Sequence, residues 1–208
     1  MKPAQLRDLG LCGYEEAYAL QKSLVAERQA GAIPDTLVLV EHPHVVTLGR
    51  RSTSRDNVVR FDMPIVEVER GGDVTYHGPG QLVGYPIVLL DEDERDVHAL
   101  LRRIEEAVIR AAEAFGIAAG RREKHTGVWV GDRKLASLGV AVRQWVSFHG
   151  FALNVSTDLA RFRSINPCGL DAGVMTSMAE LLGRDVSLDE VKPVMVREAG
   201  RALGRSFG

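Results

Sequence analysis

Residues 14–30, YEEAYALQKSLVAERQA, set Tyr14, Ala17, Tyr18, Leu24 and Val25 near one face of a helix, and Gly31 follows as its terminator. The period then shortens. TLVLVEH (36–42) and HVVTLG (44–49) read as strands separated at Pro43, and PIVEVERGG (64–72) alternates up to a pair of glycines. QLVGYPIVLL (81–90) is a further strand, in which Pro86 predicts an edge position or a bulge. Across 94–115 the helical period returns, with Val97, Leu100, Leu101, Ile104, Val108, Ala111 and Phe115 on one stripe and Gly116 closing it. GVWVGDRKLASLGVAV (127–142) predicts a hairpin turning at Gly131-Asp132, and VSFHGFALNVS (146–156) keeps a period of two. Ser177 with Glu180, and Ser187 with Glu190, have the spacing of capping boxes and predict two last helices. Pro193 conflicts with the second of these and predicts a kink or a shifted boundary.

Helix, several strands, long helix, several strands, two helices is not the strict alternation of a doubly wound parallel fold. It predicts an α/β or α+β domain, with a mixed or mostly antiparallel sheet flanked by helices. At 208 residues a single domain over 1–208 is the simplest organisation. A net charge of -2 does not suggest a nucleic-acid binder. No segment approaches a membrane span, and the first twenty residues hold no apolar run of signal-peptide length. The two cysteines, Cys12 and Cys168, make no disulfide framework, so a reducing compartment, the cytosol, is expected.

The chemistry begins at INPCGL (165–170). Cys168 sits between Pro167 and Gly169, two strong turn-formers, which predicts a sulfur held out on a short, rigid turn. That suits a nucleophile, although many loop cysteines are inert. RGGDVTYHGPGQLVGYP (70–86) is glycine-rich for a connection between strands, as an elaborate turn or a backbone that approaches a ligand closely would require. It contains neither a P-loop nor the spacing of a dinucleotide fingerprint. Tyr76 and His77 add polar groups within it. Lys134 follows the predicted hairpin turn, where strict alternation groups it with Ala136, Leu138 and Val140, opposite Leu135, Ser137 and Gly139. Among such neighbours a lysine is partly desolvated and gives up its proton more readily; the alternative is a solvated lysine at a strand end. His42, His44, His77, His98, His125 and His149 come without HExxH or CxxC, so no metal is expected. The basic clusters RRST (50–53), RREK (121–124) and RFR (161–163) are solvated surface or docking points for an acidic partner.

Taken in order, RGGDVTYHGPGQLVGYP, GVWVGDRKLASLGV, HGFALNV and INPCG, with EHPHVVTLGR (41–50) upstream, resemble the lipoyl(octanoyl) transferases. The resemblance runs from about residue 36 to about 182 and leaves 1–13 and 184–208 unmatched. It implies a fold similar to the catalytic domain of biotin and lipoate protein ligases. It implies transfer of an octanoyl or lipoyl group from acyl carrier protein to a lysine of lipoyl domains, through a cysteine thioester, as the first step of endogenous protein lipoylation. The acceptors would be lipoyl domains of 2-oxoacid dehydrogenase complexes and the glycine cleavage H protein, with no cofactor, nucleic acid or membrane involved. Carried over by position, Cys168 becomes the acyl-bearing nucleophile and Lys134 its acid/base partner. Arg70, Gly71, Gly72, Asp73, Val74, Thr75, Tyr76, His77, Ser137, Leu138, Gly139, Gly150, Phe151 and Ala152 become the walls of the acyl site. Leu135, Ser137 and Leu138 stand where many members have Ile, Ala and Ile, swaps that adjust pocket shape more than chemistry. The competing readings are an ATP-dependent lipoate or biotin ligase, a non-catalytic lipoyl-domain or carrier-binding module, and a cysteine hydrolase using Cys168 with His77 or His149.

Overall fold

The structure, a computed structural model, describes residues 1–50, 55–59, 63–166 and 172–208. Its elements in chain order are β1 (Lys2–Leu11), α1 (Tyr14–Gln29), β2 (Asp35–Glu41), β3 (Val45–Leu48), β4 (Ile65–Glu67), β5 (Thr75–His77) and β6 (Gln81–Ile87). There follow α2 (Val97–Glu113), β7 (Gly120–Arg122), β8 (His125–Val130), β9 (Arg133–Arg143), β10 (Val146–Asn154), α3 (Met178–Leu182), α4 (Leu188–Leu203) and β11 (Arg205–Phe207). An eight-stranded sheet runs β11-β1-β2-β6-β10-β9-β8-β7, and a three-stranded sheet runs β4-β3-β5. β1 pairs in parallel with β2 and β11, and β3 with β4; the other ladders are antiparallel. The sheet is therefore mixed, as its sequence predicts.

Alternation along the central strands sorts the core into two layers. Val38, Val40, Val83, Tyr85, Ile87, Phe148 and Ala152 pack with Ala17, Leu24 and Val25 of α1. Leu37, Leu39, Leu82, Phe151 and Leu153 point the other way, onto Leu100, Ile104 and Val108 of α2 and Val191, Met195 and Leu203 of α4. Burying each such aliphatic side chain stabilises by roughly 1.5–3 kcal/mol, so both faces of the sheet are firmly covered.

Several boundaries depart from expectation. Helix α2 begins at Val97 rather than 94, because Asp96 caps it by accepting from the backbone N–H groups of His98 (2.8 Å) and Ala99 (3.1 Å). Helix α4 keeps its predicted start at the Ser187–Glu190 capping box and runs through Pro193, so the boundary does not shift. Strands β1, β7 and β11 carry no pattern that announces them. β6 is central, between β2 and β10, so Pro86 is not on an edge. The proline is tolerated because the ladder to β10 is interrupted there. The register from Phe151↔Gly84 to Leu89↔Val146 is constant and sets Pro86 opposite His149. Pro86 has no N–H to give; its carbonyl accepts from Ser147 Oγ (2.7 Å), and the His149 N–H turns instead to Gln21 Oε1 (2.9 Å).

Candidate functional site

A cleft opens between the α1 face of the large sheet and the segment 70–77, which leads into β5. Its lining includes Arg70, Asp73, Thr75 and His77 on one side, and Ser137, Gly139, Gly150 and Ala152 on the other. The two sides meet closely because glycines leave room. A Cβ on Gly139 would stand 2.7 Å from the Gly71 carbonyl oxygen, and one on Gly49 would stand 2.5 Å from that of Gly72. The segment is tied down by hydrogen bonds. Gly71 N–H donates to Val140 O (2.9 Å), the Arg70 guanidinium to Thr47 O (3.0 Å) and Thr47 Oγ1 (2.9 Å), and Asn57 Nδ2 to Asp73 Oδ2 (2.9 Å).

Lys134 reaches this cleft through an irregularity. Between Val128 and Trp129 the β8–β9 register shifts by one, so β9 carries an extra residue. Leu135 and Ala136 consequently both turn into the α2-side core. The bulge returns Lys134 to the cleft beside Ser137 and Gly139, which corrects its expected grouping with Ala136 and Val140. It is not a solvated strand-end lysine: it is 3% exposed, with its ammonium 5.5 Å from the centre of the Trp129 ring.

His149 arrives by a second irregularity. Alternation would send it to the α2 side with Phe151 and Leu153. Its φ of 56°, left-handed for a non-glycine residue, brings the ring instead against Tyr18 (5.3 Å), Phe148 (4.9 Å) and Tyr85 (6.4 Å). Neither ring nitrogen has a hydrogen-bond partner among the described residues. Burial, followed by the Arg70 charge, pushes its pKa down to about 3.

His77 in the cleft and His42 behind it, with ring centres 5.7 Å apart, are held neutral in the same way. His42 Nδ1 lies 2.8 Å from the Cys12 carbonyl and must donate to it, so Nε2 accepts from the Tyr85 hydroxyl (2.8 Å); burial lowers its pKa to about 4. His77 stacks on Tyr14 at 5.7 Å, and burial, then neighbouring His42, pushes it well below the ordinary value. Burial raises Tyr14 to about 12. From His77 a hydrogen-bonded chain crosses the site: His77 Nδ1 to Gln81 Oε1 (2.8 Å), Gln81 Nε2 to Asn154 Oδ1 (3.0 Å), Asn154 Nδ2 to Thr176 O (3.0 Å), and Thr176 N–H to Lys134 O (3.0 Å).

Twelve of the fourteen expected wall residues line the cleft: Arg70, Gly72, Asp73, Val74, Thr75, His77, Ser137, Leu138, Gly139, Gly150, Phe151 and Ala152. Two do not. Tyr76 alternates away from its neighbours into the core under the small sheet, where its ring meets Phe162 at 5.0 Å and its hydroxyl bonds His44 Nδ1 (2.8 Å). Gly71 serves by its backbone, through Val140. Tyr14, Val83, Tyr85 and His149 also line the cleft and are not among the walls that the resemblance implies. Tyr14 reads as helix core and Val83 as strand core, while Tyr85 lies inside the glycine-rich stretch, the one signal that points to it. Cys168 and its flanking Pro167 and Gly169 lie outside the described residues. The chain on either side is fixed: Ile165 bridges to Val58, and Met175 bridges to Lys134 itself. Among the described residues no group of three His, Cys, Asp or Glu is placed to hold a metal, and no helix is long and apolar enough to cross a membrane.

Residues 13–200 match the family described as Lipoyl protein ligase A/B catalytic domain. The octanoyltransferase of Geobacter metallireducens is 52% identical over 187 residues, covering 90% of this chain and 87% of its own. Among solved structures, lipoate-protein ligase A bound with ATP superposes with a TM-score of 0.80 at 20% identity, over 100% of this chain and 88% of its own. The bipartite lipoate protein ligase of Thermoplasma acidophilum, described with its E2 lipoyl domain, gives 0.77 at 20% identity, over 100% and 86%. At that identity the likeness to both is one of fold.

Proposed function

Because the chain belongs to the lipoyl protein ligase A/B catalytic-domain family and is an acyltransferase of the octanoyltransferase kind, we propose that it moves an octanoyl or lipoyl group from acyl carrier protein to a lysine of lipoyl domains through a thioester on Cys168. The observation that carries this reading is the seat of Lys134. The lysine is buried in the cleft, and its backbone is hydrogen-bonded to Thr176, eight residues beyond the cysteine. Residues 1–208 act as one cytosolic catalytic domain, and the twelve lining residues hold the acyl chain. Lys134 takes the Cys168 proton, and the thiolate attacks the carrier thioester. As the new C–S bond forms, the carrier sulfur leaves with the lysine's proton. The acceptor amine then attacks the acyl-enzyme, Lys134 removes its proton, and the cysteine sulfur leaves and takes that proton back. A thioester keeps the acyl group activated, so no ATP is needed. Acceptors are the lipoyl domains of 2-oxoacid dehydrogenases and the glycine cleavage H protein, a class that the Thermoplasma acidophilum ligase also accompanies.

The site also weighs against the hydrolase alternative. His77 and His149 are buried neutral imidazoles of much reduced basicity, unsuited to drawing a proton from a thiol near neutral pH. The ligase alternative is weakened by the absence of a nucleotide loop in the sequence and by the 52% identity to an octanoyltransferase. Intact-mass measurement after incubation with octanoyl-carrier protein should find one added octanoyl group, absent in Cys168→Ala and present in Cys12→Ala. Lys134→Arg should lose at least about a hundredfold in transfer, because guanidinium does not act as a base. Transfer by Cys168→Ala at the parent rate would end the covalent reading.

A further inference from the structure

Lys134 reaches the cleft because β9 bulges, and the strand opposite the bulge has its own anchor. Gly127, on β8, has a φ of 138°, and its bare α-carbon faces the lysine stem. A Cβ there would stand 2.7 Å from Lys134 Cε, 3.4 Å from Nζ and 2.7 Å from the Ala136 carbonyl oxygen. The Gly127 N–H donates to Glu105 Oε1 (3.1 Å) on the inner face of α2. Glu105 is 1% exposed, an uncommon setting for a carboxylate unless it is paired. Its other oxygen accepts from Arg102 (2.7 Å) and Arg121 (3.1 Å), both partly solvated. One of the two oxygens of a carboxylate costly to bury is thus directed at a glycine N–H directly behind the lysine. A hydrophobic residue would have filled the same place in α2.

We propose that Glu105 is a positioning residue for Lys134, acting through Gly127: the carboxylate pins β8, and the pinned glycine forms the floor along which the lysine stem lies toward the Trp129 ring. The consequence for catalysis rests on the reading of Lys134 as the group that moves protons; the positioning itself does not.

The chain has five lysines, so their Cε–H signals can be followed by NMR, with Lys134 assigned by its loss in Lys134→Arg. Lying near the Trp129 ring, that signal should sit upfield of Lys2, Lys124 and Lys192; Lys22, whose ammonium lies 4.3 Å from the centre of the Tyr18 ring, is shifted too and is assigned by its own loss in Lys22→Arg. Three variants test the device. Gly127→Ala fills the floor, Glu105→Leu removes the pin, and Glu105→Gln keeps an acceptor for the Gly127 N–H. Gly127→Ala and Glu105→Leu should return the Lys134 signal toward the position of Lys2, Lys124 and Lys192. They should lower kcat about a hundredfold, the scale of a misplaced catalytic group, with KM for the acyl donor changed far less. Glu105→Gln should preserve both the shift and most of kcat. If Gly127→Ala does not fold, the two Glu105 variants decide alone. An unmoved Lys134 signal in Glu105→Leu, or an equal loss in Glu105→Gln, overturns the proposal. A moved signal with kcat intact upholds the positioning and instead removes Lys134 from the proton transfers.

Discussion

Gly139 shows how closely the two walls of the cleft meet. Its missing side chain admits the Gly71 carbonyl, which belongs to backbone pinned by Val140 and unable to swing aside as a flexible side chain would. Gly139→Ala is therefore expected to push the 70–72 segment off the sheet. It should destabilise by about 1–3 kcal/mol, the usual cost of overpacking, and lower kcat/KM for the acyl donor. Urea denaturation and donor kinetics check the two effects together; wild-type values in both would mean that the segment moves freely. Most of these wall residues were legible, because glycine spacing and polar types in RGGDVTYH and SLG betray a backbone site. Tyr76 faces away from the cleft, and a motif does not show this, because it names neighbours without saying which alternate residue faces inward.

At the scale of elements, the two side chains that most define the cleft chemically are delivered by departures from regular strand geometry. Strict alternation would bury Lys134 and His149 against α2; a one-residue bulge and one left-handed residue rescue them. Neither irregularity can be read from a period of two, which groups Lys134 with Ala136 and Val140 instead of with Ser137 and Gly139. Helix ends were more legible, since a capping box is a local interaction written in four residues. Ser187 accepts from Glu190 N–H (3.2 Å) and Glu190 Oε1 from Ser187 N–H (3.0 Å), at the start of the helix that covers α2. Ser187→Ala should cost about 1 kcal/mol, measured as a lower urea midpoint at constant m-value. No change in midpoint would mean that solvent satisfies that helix end equally well.

Across the whole molecule, the buried imidazoles make stability depend on pH. Below 6.5 the unfolded chain binds protons at His42, His77 and His149 that the folded chain refuses, with folded values of about 4 for His42 and about 3 for His149. Stability therefore falls as pH drops from 6.5 toward those values, by up to about 2 kcal/mol per histidine at about pH 5. Glu94, held at about 2 chiefly by Arg205, adds a loss only below its ordinary 4.5. Tm measured from about pH 7 to 5 should decline steadily, before the carboxylates titrate; a flat profile would show the imidazoles to be solvated. The mixed sheet and its two helical layers followed from hydrophobic period. Strands β1 and β11 did not, because β11 has only three residues and β1, KPAQLRDLGL, buries only Ala4 and so carries no clear alternation.

That side of the sheet has a consequence for folding. β1 is flanked on its outer side by the three-residue β11, with Lys2 aligned to Arg205, and Arg205 closes a cluster with Asp35 and Glu94. Strand pairing over so long a sequence separation closes late, after local elements have formed. Until it closes, the outer rim of β1 stays open to other strands and the Asp35 carboxylate lacks its arginine from β11, so an incompletely folded chain is most open to misassociation along β1.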